Sequence, residues 1–291
     1  MTRPPLASTL RCALVTAWLL GCGSNTPNVD SQTVAEPSAL DVSPPTGVLY
    51  TYLVDHAGPD AYQAAKEATS VDTVLKMYGA GALSCLEMFA IRPSVRAQAL
   101  QRLGDESQVH RWRRFAGLLS LSVSRHDAVG LIAFVRRGHS GPVHLDGRDT
   151  SSTPNRVQHA ITVALNSLGR MAANIDLEEG DPSHNPAADF LLDCASPNFW
   201  RAPNVQFPEP PDWQKVRFSL VCIVSLAFSD SHTTATRLQI RIAELKVAGE
   251  WLPRLDDAYR EYERIRSEVV KDGGVRPHLL RTCAKCSPRT E

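Results

Sequence analysis

From Val71 to Val269 apolar side chains recur three and four residues apart, and they nowhere alternate every second residue over a convincing length. A period near 3.6 gathers them on one face of a helix, whereas a half-buried strand needs a period of two. That pattern predicts an all-α fold built from packed amphipathic helices. The first register runs Val71, Val74, Leu75, Tyr78, Ala82, Leu86 and Phe89. Pro93 opens a second through Val95, Ala99 and Leu103, stopped at Gly104, and a third takes Val109, Trp112, Phe115, Leu119 and Val123. Val129, Ile132 and Val135 mark a fourth, ending near Gly138.

The pattern resumes after a loop. Thr153-Pro154 reads as cap and first helical residue before Val157, Ile161, Ala164, Leu165, Leu168 and Met171. Asn185-Pro186 repeats the signal before Phe190, Leu191 and Cys194, and Asp212 caps a helix bearing Val216, Leu220, Ile223, Val224 and Ala227. Another carries Ala235, Leu238, Ile242 and Leu245. Pro253 opens the last, through Leu255, Ala258, Tyr259, Tyr262, Ile265 and Val269, which Gly273-Gly274 stops. Its outer face is charged with both signs, Asp256 standing four residues before Arg260.

Some of these segments echo one another. Arg114-Phe115-Ala116-Gly117-Leu118-Leu119-Ser120-Leu121-Ser122, a polar turn, and Asp127-Ala128-Val129-Gly130-Leu131-Ile132-Ala133-Phe134 find a counterpart in Arg217–Leu226 followed by Ala235–Ile240. Ala164-Leu165-Asn166-Ser167-Leu168-Gly169 reads as a similar ending of a first helix. Over residues 71–246 this resembles degenerate HEAT-type repeats. The resemblance implies stacked helix pairs, a solenoid, and an extended surface that binds proteins or peptides. The spacing departs from the ~40–47 residues of such units, and the connections at 138–152, 176–185 and 201–212 are long. An irregular helical bundle is the alternative architecture.

The N-terminus has a different character. Arg3 and Arg11 precede the apolar stretch Cys12–Leu20, and no acidic residue occurs before Asp30. The stretch is far below the ~20 residues that span a bilayer. Ending in Leu19-Leu20-Gly21-Cys22, it resembles the lipobox of a bacterial lipoprotein signal peptide. That implies removal of residues 1–21, a lipidated Cys22 as the new N-terminus, and an extracytoplasmic position at the cell envelope held by several acyl chains. In lipoproteins of diderm bacteria an Asp after the cysteine often retains the protein on the inner membrane, so Gly23 points to the outer membrane. Residues 22–46 lack aromatic side chains and read as a disordered tether, with a root-mean-square span of about 25–30 Å. The helical domain is expected over 47–272 and a flexible tail over 273–291.

Lys plus Arg and Asp plus Glu each number 31, and loss of Arg3 and Arg11 with the leader leaves a slightly acidic chain. Such a balance gives no electrostatic reason to expect nucleic acid as a partner. The longest later apolar run, Phe218–Phe228, is too short for a second membrane span and reads as a core helix. Of seven cysteines, Cys12 leaves and Cys22 carries lipid. Cys85, Cys194, Cys222, Cys283 and Cys286 remain, an odd number that leaves at least one thiol free or paired between chains.

Few residues invite chemistry. Cys283-Ala284-Lys285-Cys286 reads first as a small disulfide ring or idle thiols, with metal and redox use as alternatives and His278 as a third ligand. No second such pair completes a zinc site. Gly138-His139-Ser140-Gly141 lacks the second glycine of a nucleophile elbow, since Pro142 stands there. His139, His144 and Asp146 read as a solvated turn. Asp176, Glu178, Glu179, Asp181 and Asn185 read as an acidic loop around Gly180 without the ligand order of a calcium loop. Trp200, Phe207 and Trp213 flank a proline-rich connector and read as packing residues, with a partner-binding lip as the alternative. No catalytic, cofactor-binding or metal site is therefore expected. The expectation is a lipid-anchored binding scaffold for a protein or peptide; the alternative is a thiol-redox or metal-dependent envelope enzyme using Cys283 and Cys286.

Overall fold

The computed structural model describes residues 59–281 apart from 81, 84–89, 121, 138–152, 180–184, 202–211, 229–231, 275–276 and 279–280. Cys22, Cys85, His139, His144, Asp146, Phe207, Cys283 and Cys286 lie outside the described residues. The described residues are all-α, without a strand. The helices are α1 (Pro59–Glu67), α2 (Val71–Gly79), α3 (Pro93–Arg102), α4 (Trp112–Leu118), α5 (Arg125–Arg137), α6 (Thr153–Glu179), α7 (Pro186–Cys194), α8 (Asp212–Ser225), α9 (His232–Val247) and α10 (Pro253–Lys271). Short 3-10 turns cover Glu106–Arg111, Pro197–Arg201 and Leu226–Phe228. No described helix is long and apolar enough to cross a membrane.

Local chemistry sets the helix ends. Proline opens α3, α7 and α10, where its missing N–H costs no helical hydrogen bond. Ser70 caps α2 by accepting from the Thr73 N–H. Asn185 caps α7 by accepting from Ala187 and Ala188, and its amide also donates to the Ala172 carbonyl at 2.7 Å. That fully buried side chain is thus a bolt between α6 and α7, not a member of an acidic loop. Past α10, Gly273 and Gly274 take φ of 85° and 119°, values that cost an L side chain free energy.

The core is organised around α6, the longest described helix, which packs directly against α4, α5, α7 and α8. Residues 167–175 are all buried, so this stretch has no solvent face. Such burial explains why the helix continues through Gly169 and Asp176 to Glu179, where the sequence predicts a helix end and a loop. Close packing also sets α8 on α7 and α10, α7 on α5, and α3 on α4 and α5. The two helices within each echoing pair, α4 with α5 and α8 with α9, are not each other's principal partners.

Burial of α6 includes one uncompensated polar group. Asn174 is fully buried, and neither its amide nitrogen nor its oxygen has a hydrogen-bond partner. An unmet buried amide costs about 1–3 kcal/mol. Asn174→Leu, close in size, is expected to raise unfolding stability by about 1–2 kcal/mol on that basis. A lower denaturant midpoint in the variant would refute this.

The body continues past the expected boundary at 272. His278 is buried, with Nδ1 2.7 Å from Asp272 Oδ2 and its ring 6.0 Å from that of Phe228. Arg281 donates from Nε to the same carboxylate at 2.8 Å. The hydrogen bond to His278, followed by the charge of Arg281, holds the Asp272 carboxyl below its ordinary range despite some desolvation. A carboxylate with a folded pKa below its unfolded value stabilises the fold at neutral pH and loses that contribution as pH falls through the folded value. Protection of the His278 amide from exchange is therefore expected to fall, relative to that of α6, as the pH drops through the lowered folded value of Asp272. Equal loss of protection at both would show that Asp272 does not hold this end.

Candidate functional site

The most distinctive charge arrangement is built on three elements around the first half of α6. Trp112 fixes the start of α4: it is buried, meets Phe134 edge-on at 5.4 Å, and donates its indole N–H to the Asp105 carbonyl at 2.9 Å. Phe115, one turn on, is fully buried. With these two facing inward, helical geometry turns Arg113 and Arg114 towards the surface. His110 stands exposed on the preceding 3-10 turn. From α6 come Arg156 and His159, three residues apart and both exposed, and from α8 comes half-buried Arg217.

These groups are close enough to alter one another's titration. His110 is lowered below the usual imidazole value by partial desolvation, then by the charges of Arg111, Arg156 and Arg114, against a raising hydrogen bond from the Ser107 backbone. His159 is lowered by desolvation and then by Arg217 and Arg113. Desolvation also lowers Arg113, with Arg114 adding to it, and lowers Arg217. Arg111 forms an ion pair with Asp72, while its guanidinium lies over the Phe115 ring at 5.1 Å. The outcome is a cationic face of guanidinium groups interleaved with two imidazoles held mostly neutral near pH 7. Guanidinium forks match the two oxygens of a carboxylate, so the face suits anionic groups.

The described residues among those singled out from sequence are placed elsewhere. Trp200 is buried, donating to the Cys194 carbonyl at 3.0 Å and packing on Phe199 and Phe218, so it is a core residue. Trp213 falls in α8. Asp176, Glu178 and Glu179 end α6 rather than forming a loop. His278 binds Asp272, and among the described residues no group of three or more His, Cys, Asp and Glu is placed to hold a metal ion. The cationic face was missed because its members are scattered over 108 positions of a chain with zero net charge. Its local signal was His110-Arg111-Trp112-Arg113-Arg114, a basic cluster around one aromatic residue. Comparison of the chain with protein families, curated proteins and solved structures gives no match.

Proposed function

We propose that this is a lipid-anchored, extracytoplasmic helical scaffold that binds an acidic segment of a partner protein or peptide at the cell envelope, without catalysis. The observation that carries the reading is the placement of Arg114 and Arg156 beside His110 and of Arg113 and Arg217 beside His159, where their charges add to desolvation, the larger cause, in lowering both imidazoles. A chain with equal numbers of acidic and basic residues gains no attraction for anions from its net charge, so a local concentration is what distinguishes one face. Electrostatic complementarity of this kind selects partners and speeds their encounter. The lipobox-like Leu19-Leu20-Gly21-Cys22 supplies the anchor, and residues 22–46 supply the reach. The packed helices supply the surface.

Crosslinking and affinity capture from intact membranes test the proposal, with Cys22→Ala as the mislocalised control. Arg114 and Arg156 are exposed, so Arg114→Glu with Arg156→Glu is expected to leave folding within about 0.5 kcal/mol of the parent. Capture of the partner is expected to weaken at least about tenfold, a change of 1.4 kcal/mol. Cys283→Ser with Cys286→Ser is expected to leave capture unchanged. Capture indifferent to charge reversal, or abolished by the cysteine changes, would overturn the reading.

A further inference from the structure

Cys194 closes α7 and Cys222 lies in the last turn of α8, two helices that pack directly together. Both side chains are fully buried and both are free thiols. The two thiols are neighbours across the contact of α7 with α8, near enough for each to influence the other's charge. Around them the packing is apolar and tight. Trp200 bonds to the Cys194 carbonyl and lies against Phe218, one helical turn before Cys222, while Phe190 stands one turn before Cys194. Two cysteines from different helices are thus brought together by the core itself.

We propose that Cys194 and Cys222 are a disulfide site, closed during folding to tie α7 to α8. The oxidant is a disulfide, either small-molecule or protein-borne. One thiol, deprotonated, attacks a sulfur of that disulfide; the S–S bond breaks and one half departs as a thiolate that takes up a proton. The second cysteine then attacks the mixed disulfide, forms the Cys194–Cys222 bond and releases the other half as a thiol. Two hydrogens and two electrons pass from the protein to the oxidant. The order of events follows from burial. In the folded protein both sulfurs are out of reach, and desolvation with the neighbouring sulfur pushes the Cys194 thiol well above its ordinary value, which suppresses the thiolate that reacts. Closure therefore belongs to the stage before α8 docks, and the folded dithiol is inert. The pairing also settles part of the cysteine arithmetic, since it takes two of the five cysteines left after Cys12 and Cys22. The presence of an oxidant in the cell rests on the extracytoplasmic reading above; the pairing itself does not.

The test is to refold the reduced, denatured full chain in a buffer of oxidised and reduced glutathione and map its disulfides by peptide mass spectrometry. The expected result is a peptide joining Cys194 to Cys222 that reductant separates. In parallel, chain first refolded under reducing conditions is expected to resist the same buffer at these two positions. Recovery of Cys194 and Cys222 as free thiols, or joined to other cysteines, from chain with native circular dichroism would overturn the proposal. Rapid crosslinking of the already folded dithiol would overturn the assigned order. The same mapping on protein recovered from membranes separates the two readings: a bond formed on refolding but missing there refutes the extracytoplasmic position and leaves the pairing standing.

Discussion

Asp127→Ala is expected to lower unfolding stability by about 3–5 kcal/mol, the cost of leaving one buried charge without its counterpart. Asp127 sits in the first turn of α5, where the helix dipole favours a negative charge. Its Oδ2 receives Arg96 Nε at 2.6 Å and the Ser122 hydroxyl at 2.6 Å. The side chains of Arg96 and Asp127 are only 10% and 6% exposed, so solvent screens the pair little. Arg96 also donates to the Ile91 carbonyl, which joins the approach to α3 with α5 through one guanidinium. The ion pairs along α10, such as Arg264 with Glu261 and Glu268, look similar but are more open to solvent and contribute under about 1 kcal/mol each. Denaturant titration of Asp127→Ala, beside Glu261→Ala, measures the difference. Arg96→Met combined with Asp127→Leu should recover most of the loss, because an apolar pair leaves no charge stranded. A loss below about 1 kcal/mol for Asp127→Ala would mean that water reaches the pair.

The second large effect is expected at Gly169. A Cβ there would lie 2.5 Å from the carbonyl oxygen of Ser225 and 2.6 Å from its Cβ, both closer than real atoms approach. The crossing of α6 and α8 is thus set by the absence of a side chain. Gly169→Ala gains about 1 kcal/mol of helix propensity, while forcing the crossing apart costs about 3 kcal/mol or more. A net loss of about 2 kcal/mol is expected from the two effects together. Gly130 in α5 provides the comparison. A Cβ there meets Leu100 Cδ1 at 2.8 Å, the far end of a side chain that can rotate away. Gly130→Ala should therefore stay within about 0.5 kcal/mol of the parent, gain and repacking nearly cancelling. If both alanines behave alike in a denaturant titration, backbone contact at Gly169 does not control the crossing.

Gly169 also marks where sequence reading stops being reliable. A glycine after Ala164-Leu165-Asn166-Ser167-Leu168 fits a helix end, yet it serves here as a contact point inside α6. The distinction depends on α8, which is distant in sequence. Registers with strong apolar spacing were legible: Val157, Ile161, Ala164, Leu165, Leu168 and Met171 are all buried as the period requires, and the prolines at 93, 186 and 253 open helices. Short or weakly patterned pieces were not. α1 has only 9 residues, and Glu106–Arg111 forms a 3-10 turn where a continuous helix through Val109 was expected. The acidic end of α6 resembled a loop because Asp176, Glu178 and Glu179 carry no apolar period. The cationic face and the meeting of Cys194 with Cys222 are tertiary facts. Each joins positions whose separation in the chain encodes no proximity.

A helix touched by four others cannot be shared out between fragments. A chain cut within 138–152 would leave α4 and α5 on one piece and the helix that covers them on the other. Each piece would display a wide apolar scar in water. Evolution can lengthen or shorten a molecule built from interchangeable units by copying or dropping one of them. A molecule threaded on α6 lacks that freedom: its growth is confined to the connections and the two ends, and any rearrangement must carry α6 and its neighbours together.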